Sequence, residues 1–405
     1  LGSLALETIM GVPMVYGVLG LGLFAAAYSL YGGLSAVSWT DVIQVIFLVM
    51  GGLVTTYLAL DAVSGGCGMW AGFQTIYEAA PDKFAMILDK GHPEYMNLPG
   101  IGVLVGGMWV ANIYYWGFNQ YIIQRTLAAK SLKESQRGIL FAAGLKLILP
   151  LIVVIPGIAA YVMTQDASVM AGLGEAAANK PPTGAIPDYA YPWLLQFLPN
   201  GLKGLAFAAL AAAIVSSLAS MLNSTSTIFT MDIYKPYINP TADDRATVRM
   251  GRISAAVALA IACVMAPLLG GIDQAFQFIQ EYTGVVSPGI LAVFILGLFW
   301  KETTNKGAIT GALVSIPIAM YFKVAPKGWS ESVFFLDLPF LDQMGLTTLL
   351  TMLVIAGVSR SEGKGEDDAK GISLTRSTFA TEPLYNIGAF AVLTVLAVLY
   401  AFFWG

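Results

Sequence analysis

Apolar residues run through this chain in blocks of about 20, too long for a strand and without the two-residue alternation of a barrel wall. Blocks near 13–32, 37–60, 99–124, 137–163, 202–230, 252–269, 274–300, 307–324, 342–358 and 383–403 predict ten membrane-crossing helices, with residues 1–11 as the end of an earlier one. Backbone groups in hydrocarbon must find partners within their own segment, so runs of this kind select helices. The expected fold class is an all-α polytopic membrane protein. Segments 61–98 and 165–201 contain Gly, Pro and acidic residues and predict short surface helices, either in connectors or in a lid. The stretch 359–380 carries Glu362, Glu366, Asp367 and Asp368 among Lys and Gly and predicts a solvated loop.

Composition sharpens this picture. Of 405 residues, 57% are hydrophobic and 11% charged, with a mean hydropathy of +0.72. The 21 basic residues divide unevenly: fourteen lie in the loops after the third, fifth, seventh and ninth blocks, and six in the alternate loops. The richer set is predicted to be cytoplasmic, so the 99–124 block enters the cytoplasm at its Arg125 end. The remaining basic residue, Lys146, falls inside a block. A net charge of −4 without a basic patch argues against a nucleic-acid partner. Cys67 and Cys263 sit in different environments, which argues against a disulfide framework. His92 beside Pro93 reads as a loop residue, and no Cys/His/carboxylate cluster suggests a metal enzyme. The chain opens at Leu1 within an apolar run and closes on Phe402-Phe403-Trp404-Gly405, which predicts a missing N-terminal part and allows a further C-terminal helix.

Polar groups at membrane depth cost about 2.5–3.5 kcal/mol when ionisable, and they mark places where water, substrate or a partner meets them. Asp41, in S-W-T-D-V-I-Q, is either an N3 acid capped with Ser38 or a carboxylate that draws a cation toward an inner vestibule. In N-I-Y-Y-W-G-F-N-Q-Y, the i, i+3, i+4, i+7 spacing of Asn112, Tyr115, Trp116 and Asn119 predicts one helix face. An amide beside an aromatic ring suits sugar hydroxyls and a face of C–H groups; interhelical hydrogen bonding is the other reading. Lys146 lies about eight residues, roughly 12 Å, into its helix, where a substrate hydroxyl or a carboxylate would satisfy it. Ser216 and Ser217 are hard oxygen ligands for an alkali cation, or small residues for close helix packing. Gln277, Gln280 and Glu281 precede Gly284 and Pro288, which predict a kink or break.

The runs Y-S-L-Y-G-G-L-S-A (28–36), W-T-D-V-I-Q, N-I-Y-Y-W-G-F-N-Q-Y-I-I-Q-R-T-L (112–127) and S-P-G-I-L-A-V-F-I-L-G-L-F-W-K-E-T-T-N-K-G-A (287–308) resemble the sodium/solute symporter family, in particular its bacterial sodium/galactose branch. The resemblance implies a LeuT-type inverted-repeat fold whose first core helix is absent here. Residues 1–60 would then end the first repeat, 61–98 form an outer loop, 99–300 the second repeat and 301–405 accessory helices. It further implies sugar contacts at Asn112, Lys146 and Gln280, with Tyr115 as the cytoplasmic gate. Sodium would be bound by the Ser216 and Ser217 hydroxyls and the Ala213 carbonyl, with Asp41 on its exit route. The expected activity is symport of sodium and a hexose such as galactose or glucose across the plasma membrane, the inner membrane of a bacterium. Sodium is then the coupling ion, the lipid bilayer the surroundings, and neither a further cofactor nor enzyme chemistry is needed. The alternatives are the same fold carrying an amino acid, polyol, vitamin or nucleoside, or a membrane sensor or channel without coupling.

Overall fold

A computed structural model describes residues 2–98, 100–173, 181–182, 187–269, 275–328, 338–363 and 374–405. The helices are α1 (Gly2–Met10), α2 (Met14–Val63), α3 (Met69–Ala79), α4 (Gly102–Val105), α5 (Gly107–Ile113), α6 (Gln120–Leu127), α7 (Leu132–Lys146) and α8 (Ile155–Gln165). They continue as α9 (Ala167–Gly172), α10 (Ala190–Leu195), α11 (Asn200–Ile228), α12 (Asp244–Met265), α13 (Ala275–Phe299), α14 (Asn305–Gly328), α15 (Phe340–Glu362) and α16 (Pro383–Phe402). Wider π turns occupy Tyr114–Phe118, Pro150–Val154 and Phe229–Ile238. Among the described residues, eight helical stretches are long and apolar enough to cross a membrane, and Met14–Ala27 is a shorter apolar helix.

Several of the ten expected spans differ in detail. The predicted gap between 32 and 37 is no loop: α2 runs through it with one non-helical residue, Gly33, at φ 55 and ψ −152. Glycine alone adopts such a backbone readily, and the carbonyl freed by the joint must find another donor. Arg252 supplies it, its Nε donating to Leu30 O at 3.1 Å while its guanidinium lies 5.5 Å from the centre of the Tyr31 ring. The expected 99–124 span is instead broken. Gly106, at φ −114 and ψ −125, separates α4 from α5, and Asn119, extended at φ −87 and ψ 114, separates the π turn from α6. Conversely, the kink expected at Gly284 and Pro288 does not end the helix, since α13 continues through both.

The chain forms two compact units, one of residues up to Lys83 with Phe141–Ala275, the other of Phe84–Leu140 with Phe276–Gly405. In the first, α2 and α11 lie together along small residues. Ala25, Val37, Val215 and Ala219 form a buried cluster, and the Ser29 hydroxyl donates to Ala219 O at 3.2 Å. Such residues let backbones approach where lipid offers no hydrophobic drive. Pro150 and Pro156 cannot donate, so the helix after α7 loosens into its π turn and Leu151 O loses its in-chain donor. The Thr56 hydroxyl stands 2.7 Å from Leu151 O and 2.9 Å from Gly52 O and shares its one hydrogen between them.

In the second unit, Val110, Leu291, Leu341 and Met344 form the core, and Phe118 stacks on Phe294 at 4.7 Å. A Cβ at Gly107 would overlap the Leu341 carbonyl, so only glycine allows α5 this close to α15. The loop contacts here respect the predicted sidedness. Lys133 and Arg137 pair with Glu382, each at 3.1 Å, and Lys306 pairs with Glu362 at 3.0 Å, all on the basic-rich side. On the other side, Met86 and Ile87 N–H groups donate to Phe403 and Trp404 carbonyls. The outer segments hold the expected short helices, α3 in 61–98 and α9 and α10 in 165–201. His92 serves its own loop, its Nδ1 accepting the Glu94 amide at 3.1 Å. Of the predicted 359–380 loop, residues 364–373 lie outside the described residues.

Candidate functional site

Asp41 and Ser216 are 175 residues apart in sequence, and the packing of α2 on α11 brings them into direct contact. The Ser216 hydroxyl donates to Asp41 Oδ1. Its hydrogen is therefore committed, which leaves the oxygen lone pairs for a cation and makes that oxygen more negative. Ser220 Oγ donates to Ser216 O at 2.8 Å, pinning the next turn. Ala213 and Ser217 stand at i and i+4 on the same helix, so the Ala213 carbonyl and the Ser217 hydroxyl lie along one edge, with Ser216 beside them. All three are half-buried. A mid-helix carbonyl keeps a second lone pair after its backbone bond, and of these groups the Ser216 hydroxyl is the one held by the Asp41 carboxylate.

The capping reading of Asp41 does not hold. Ser38 is five residues past Gly33 inside α2, and its hydroxyl donates back to Leu34 O at 2.8 Å instead of capping a helix start. With no helix terminus there, Asp41 answers a neighbouring helix.

The sugar candidates are distributed over both units. Asn112, on α5, donates from Nδ2 to Met108 O at 2.9 Å, which leaves its second N–H and its Oδ1 for other partners. Tyr115 sits in the π turn, 37% exposed, with Trp116 edge-on at 5.5 Å and Tyr121 at 6.4 Å. The π turn alters the predicted face. Tyr114–Phe118 closes bonds one residue wider than an α-helix, and Asn119 leaves the helix altogether to cap α6, its Oδ1 accepting from Tyr121 N at 3.1 Å. Asn119 thus shapes the turn that holds Tyr115 and is not a fourth member of its face.

Lys146 ends α7. Pro150, four residues on, cannot donate to its carbonyl, so the residue predicted deep within a continuous helix stands at a break, exposed. Gln280 is exposed on α13. Beside it lies an ion pair that no sequence signal announces: Lys323 Nζ binds Glu281 Oε2 at 2.9 Å and sits 4.1 Å from the Tyr282 ring centre. Gln277 Nε2 reaches Glu281 Oε1 at 3.3 Å and Asn97 Oδ1 at 3.5 Å. Lys323, counted as a loop residue, belongs to α14, and no spacing rule connects positions 42 apart.

The described structure has membrane-crossing helices with polar residues on several of them. Residues 2–315 match the sodium:solute symporter family, to which this chain belongs. It is 63% identical over 404 residues to the sodium/glucose cotransporter of Vibrio parahaemolyticus, covering 100% of this chain and 73% of that protein. It is 32% identical over 337 residues to sodium/myo-inositol cotransporter 2 of Sus scrofa, and 31% identical over 337 residues to sodium/glucose cotransporter 4 of Danio rerio. Those two matches cover 79% of this chain, which spans about half the length of each animal relative, 49% and 50%. Among solved structures, a Na+-coupled sialic acid symporter in a substrate-bound outward-open state superposes with a TM-score of 0.71 at 24% identity, over 92% of this chain and 71% of that one. That likeness speaks for the fold, which is of the LeuT type. The chain is a multi-pass membrane protein.

Proposed function

We propose that the protein carries a hexose, galactose or glucose, into the cell together with sodium, across the plasma membrane and by alternating access. The observation that carries this reading is the 63% identity, maintained over the whole chain, to a relative named as a sodium/glucose cotransporter. The Asp41 to Ser216 contact supports it independently, because it readies a hydroxyl for a cation where the resemblance expects sodium. In this scheme Ser216, Ser217 and the Ala213 carbonyl hold sodium, and Asp41 receives it on its way to the cytoplasm. Asn112, Lys146 and Gln280 bond the sugar hydroxyls, with Tyr115 covering the sugar from the cytoplasmic side. Residues 99–300 would constitute the second inverted repeat.

No covalent bond is made or broken. Coupling requires only that each ligand favour one conformation over another, by about 1–3 kcal/mol for a typical linked pair. A second reading, a polyol cargo, draws on the relative named for myo-inositol, since a cyclic polyol offers the same ring of hydroxyls. Uptake into proteoliposomes along an imposed sodium gradient tests both. Galactose or glucose accumulation, abolished when sodium is replaced by choline, is the expected result. Saturable myo-inositol uptake without competition from either hexose would transfer the assignment to the polyol, and sodium-independent equilibration would end the symport reading.

A further inference from the structure

Beside the Gly33 joint lies a cavity of about 460 Å³, lined among others by Tyr31, Ser226, Thr230, Thr247, Gly251 and Arg252. Its volume falls in the range of about 300–1,000 Å³ usual for small-molecule sites. Three features of its wall point to an anion. Arg252 is held by Leu30 O and the Tyr31 ring, and among the described residues no carboxylate pairs with it. Among the described residues only its Nε donates a hydrogen bond, leaving the terminal fork of N–H groups that matches phosphate oxygens. Thr230, only 4% exposed, has a buried hydroxyl with no hydrogen-bond partner among the described residues, a cost that a ligand oxygen would remove.

The rim indicates the source of that anion. Tyr31 is 83% exposed, and Val248 and Met231 present apolar surface at the same opening, so the polar pocket grades into a face suited to acyl chains. Residues 231–252 also belong to the basic-rich side that the charge distribution predicts to be cytoplasmic, where anionic lipids concentrate and basic residues near the surface attract them.

We infer that this cavity binds the phosphate of an anionic phospholipid from the cytoplasmic leaflet, with Arg252 and Thr230 as its ligands. The bound headgroup braces the Gly33 joint against α12 through the arginine that already caps it.

The test uses the intact transporter, purified in mixed phosphatidylcholine and phosphatidylglycerol micelles, with retained lipid counted by native mass spectrometry. Wild-type protein should retain phosphatidylglycerol in preference to phosphatidylcholine. Arg252→Gln should lower that retention about tenfold and Thr230→Val, which keeps shape and removes the hydroxyl, a few-fold. Arg245→Gln with Arg249→Gln, two exposed arginines of α12 outside the cavity lining, should leave it unchanged. Melting curves accompany each variant, and should Arg252→Gln unfold by losing its cap, Thr230→Val carries the decision. Equal retention in wild type and Thr230→Val overturns the site, as does an equal loss in the Arg245/Arg249 control, which would reduce the effect to general charge. Displacement of the lipid by inorganic phosphate at about 10 mM would overturn a lipid as the occupant, while weak or absent displacement supports it.

Discussion

Replacing Asp41 by Asn isolates its charge. The substitution keeps the volume and an acceptor for the Ser216 hydroxyl, so the hydrogen bond between α2 and α11 survives and the local packing stays as it is. What disappears is the attraction between a carboxylate and a cation seated on the far side of the Ser216 oxygen, about 5 Å away. At an effective dielectric of about 20, that attraction is about 3 kcal/mol. With each 1.4 kcal/mol worth about tenfold, the full effect would be about two powers of ten in sodium affinity. Asp41 is only half-buried, so solvent takes part of this, and we expect the sodium half-saturation of sugar uptake to rise by at least about tenfold. Asp41→Glu retains the charge and should shift it less. The assay is sodium-activated sugar uptake in proteoliposomes at saturating sugar, with a melting curve for each variant. A half-saturation for Asp41→Asn within about twofold of wild type would refute the electrostatic role assigned to this carboxylate.

Four further outcomes are expected. Ser217→Ala should weaken sodium activation, and an unaltered activation curve would remove Ser217 from the cation ligands. Lys146→Ala and Gln280→Ala should raise the sugar KM as hydroxyl bonds are lost, at about 0.5–1.5 kcal/mol for a neutral bond and more for the lysine; unchanged uptake in both would take them out of the sugar site. Thr56→Val removes the hydroxyl donor of the part-buried Leu151 carbonyl and should lower the melting temperature, in line with about 0.5–1.5 kcal/mol for a lost hydrogen bond. Hydrogen bonding to Lys133, helped by Arg137, holds the Glu382 carboxyl below its ordinary range. Its contribution is therefore fully present above the ordinary carboxylate pKa and lost as pH falls through the lowered one. The melting difference between wild type and Glu382→Gln should hold steady above the ordinary carboxylate pKa of about 4.5 and shrink as pH falls below it, and a difference independent of pH would discount the cluster.

Hydrophobic blocks carried most of the fold into the sequence, because a bilayer leaves so few ways to satisfy a backbone. That alternate loops share a side was legible too, as Lys306 meets Glu362 from the loops after the seventh and ninth blocks. Departures from regular helix were less visible. A glycine pair at 32–33 reads as a loop, yet Gly33 is a joint within a continuing helix because Arg252 takes up the freed carbonyl. Pro288 reads as a breaker, yet α13 accommodates it, whereas Pro150 does end α7. Among the candidate residues, the depth of Asp41 and of Ser216 could be read separately. Their contact could not, since it depends on the register of α2 against α11. The Glu281 to Lys323 pair escaped for the same reason.

The Gly33 joint also sets a clock on biogenesis. Its carbonyl at Leu30 and the guanidinium that caps it are 222 residues apart. At about 5–20 residues per second, a ribosome needs roughly ten to forty seconds to make the second after the first. Throughout that interval the Leu30 carbonyl is without the Arg252 donor that it has in the finished protein, and the joint waits for α12. Slowing or pausing synthesis between these two points therefore lengthens that wait without altering a single residue of the finished protein.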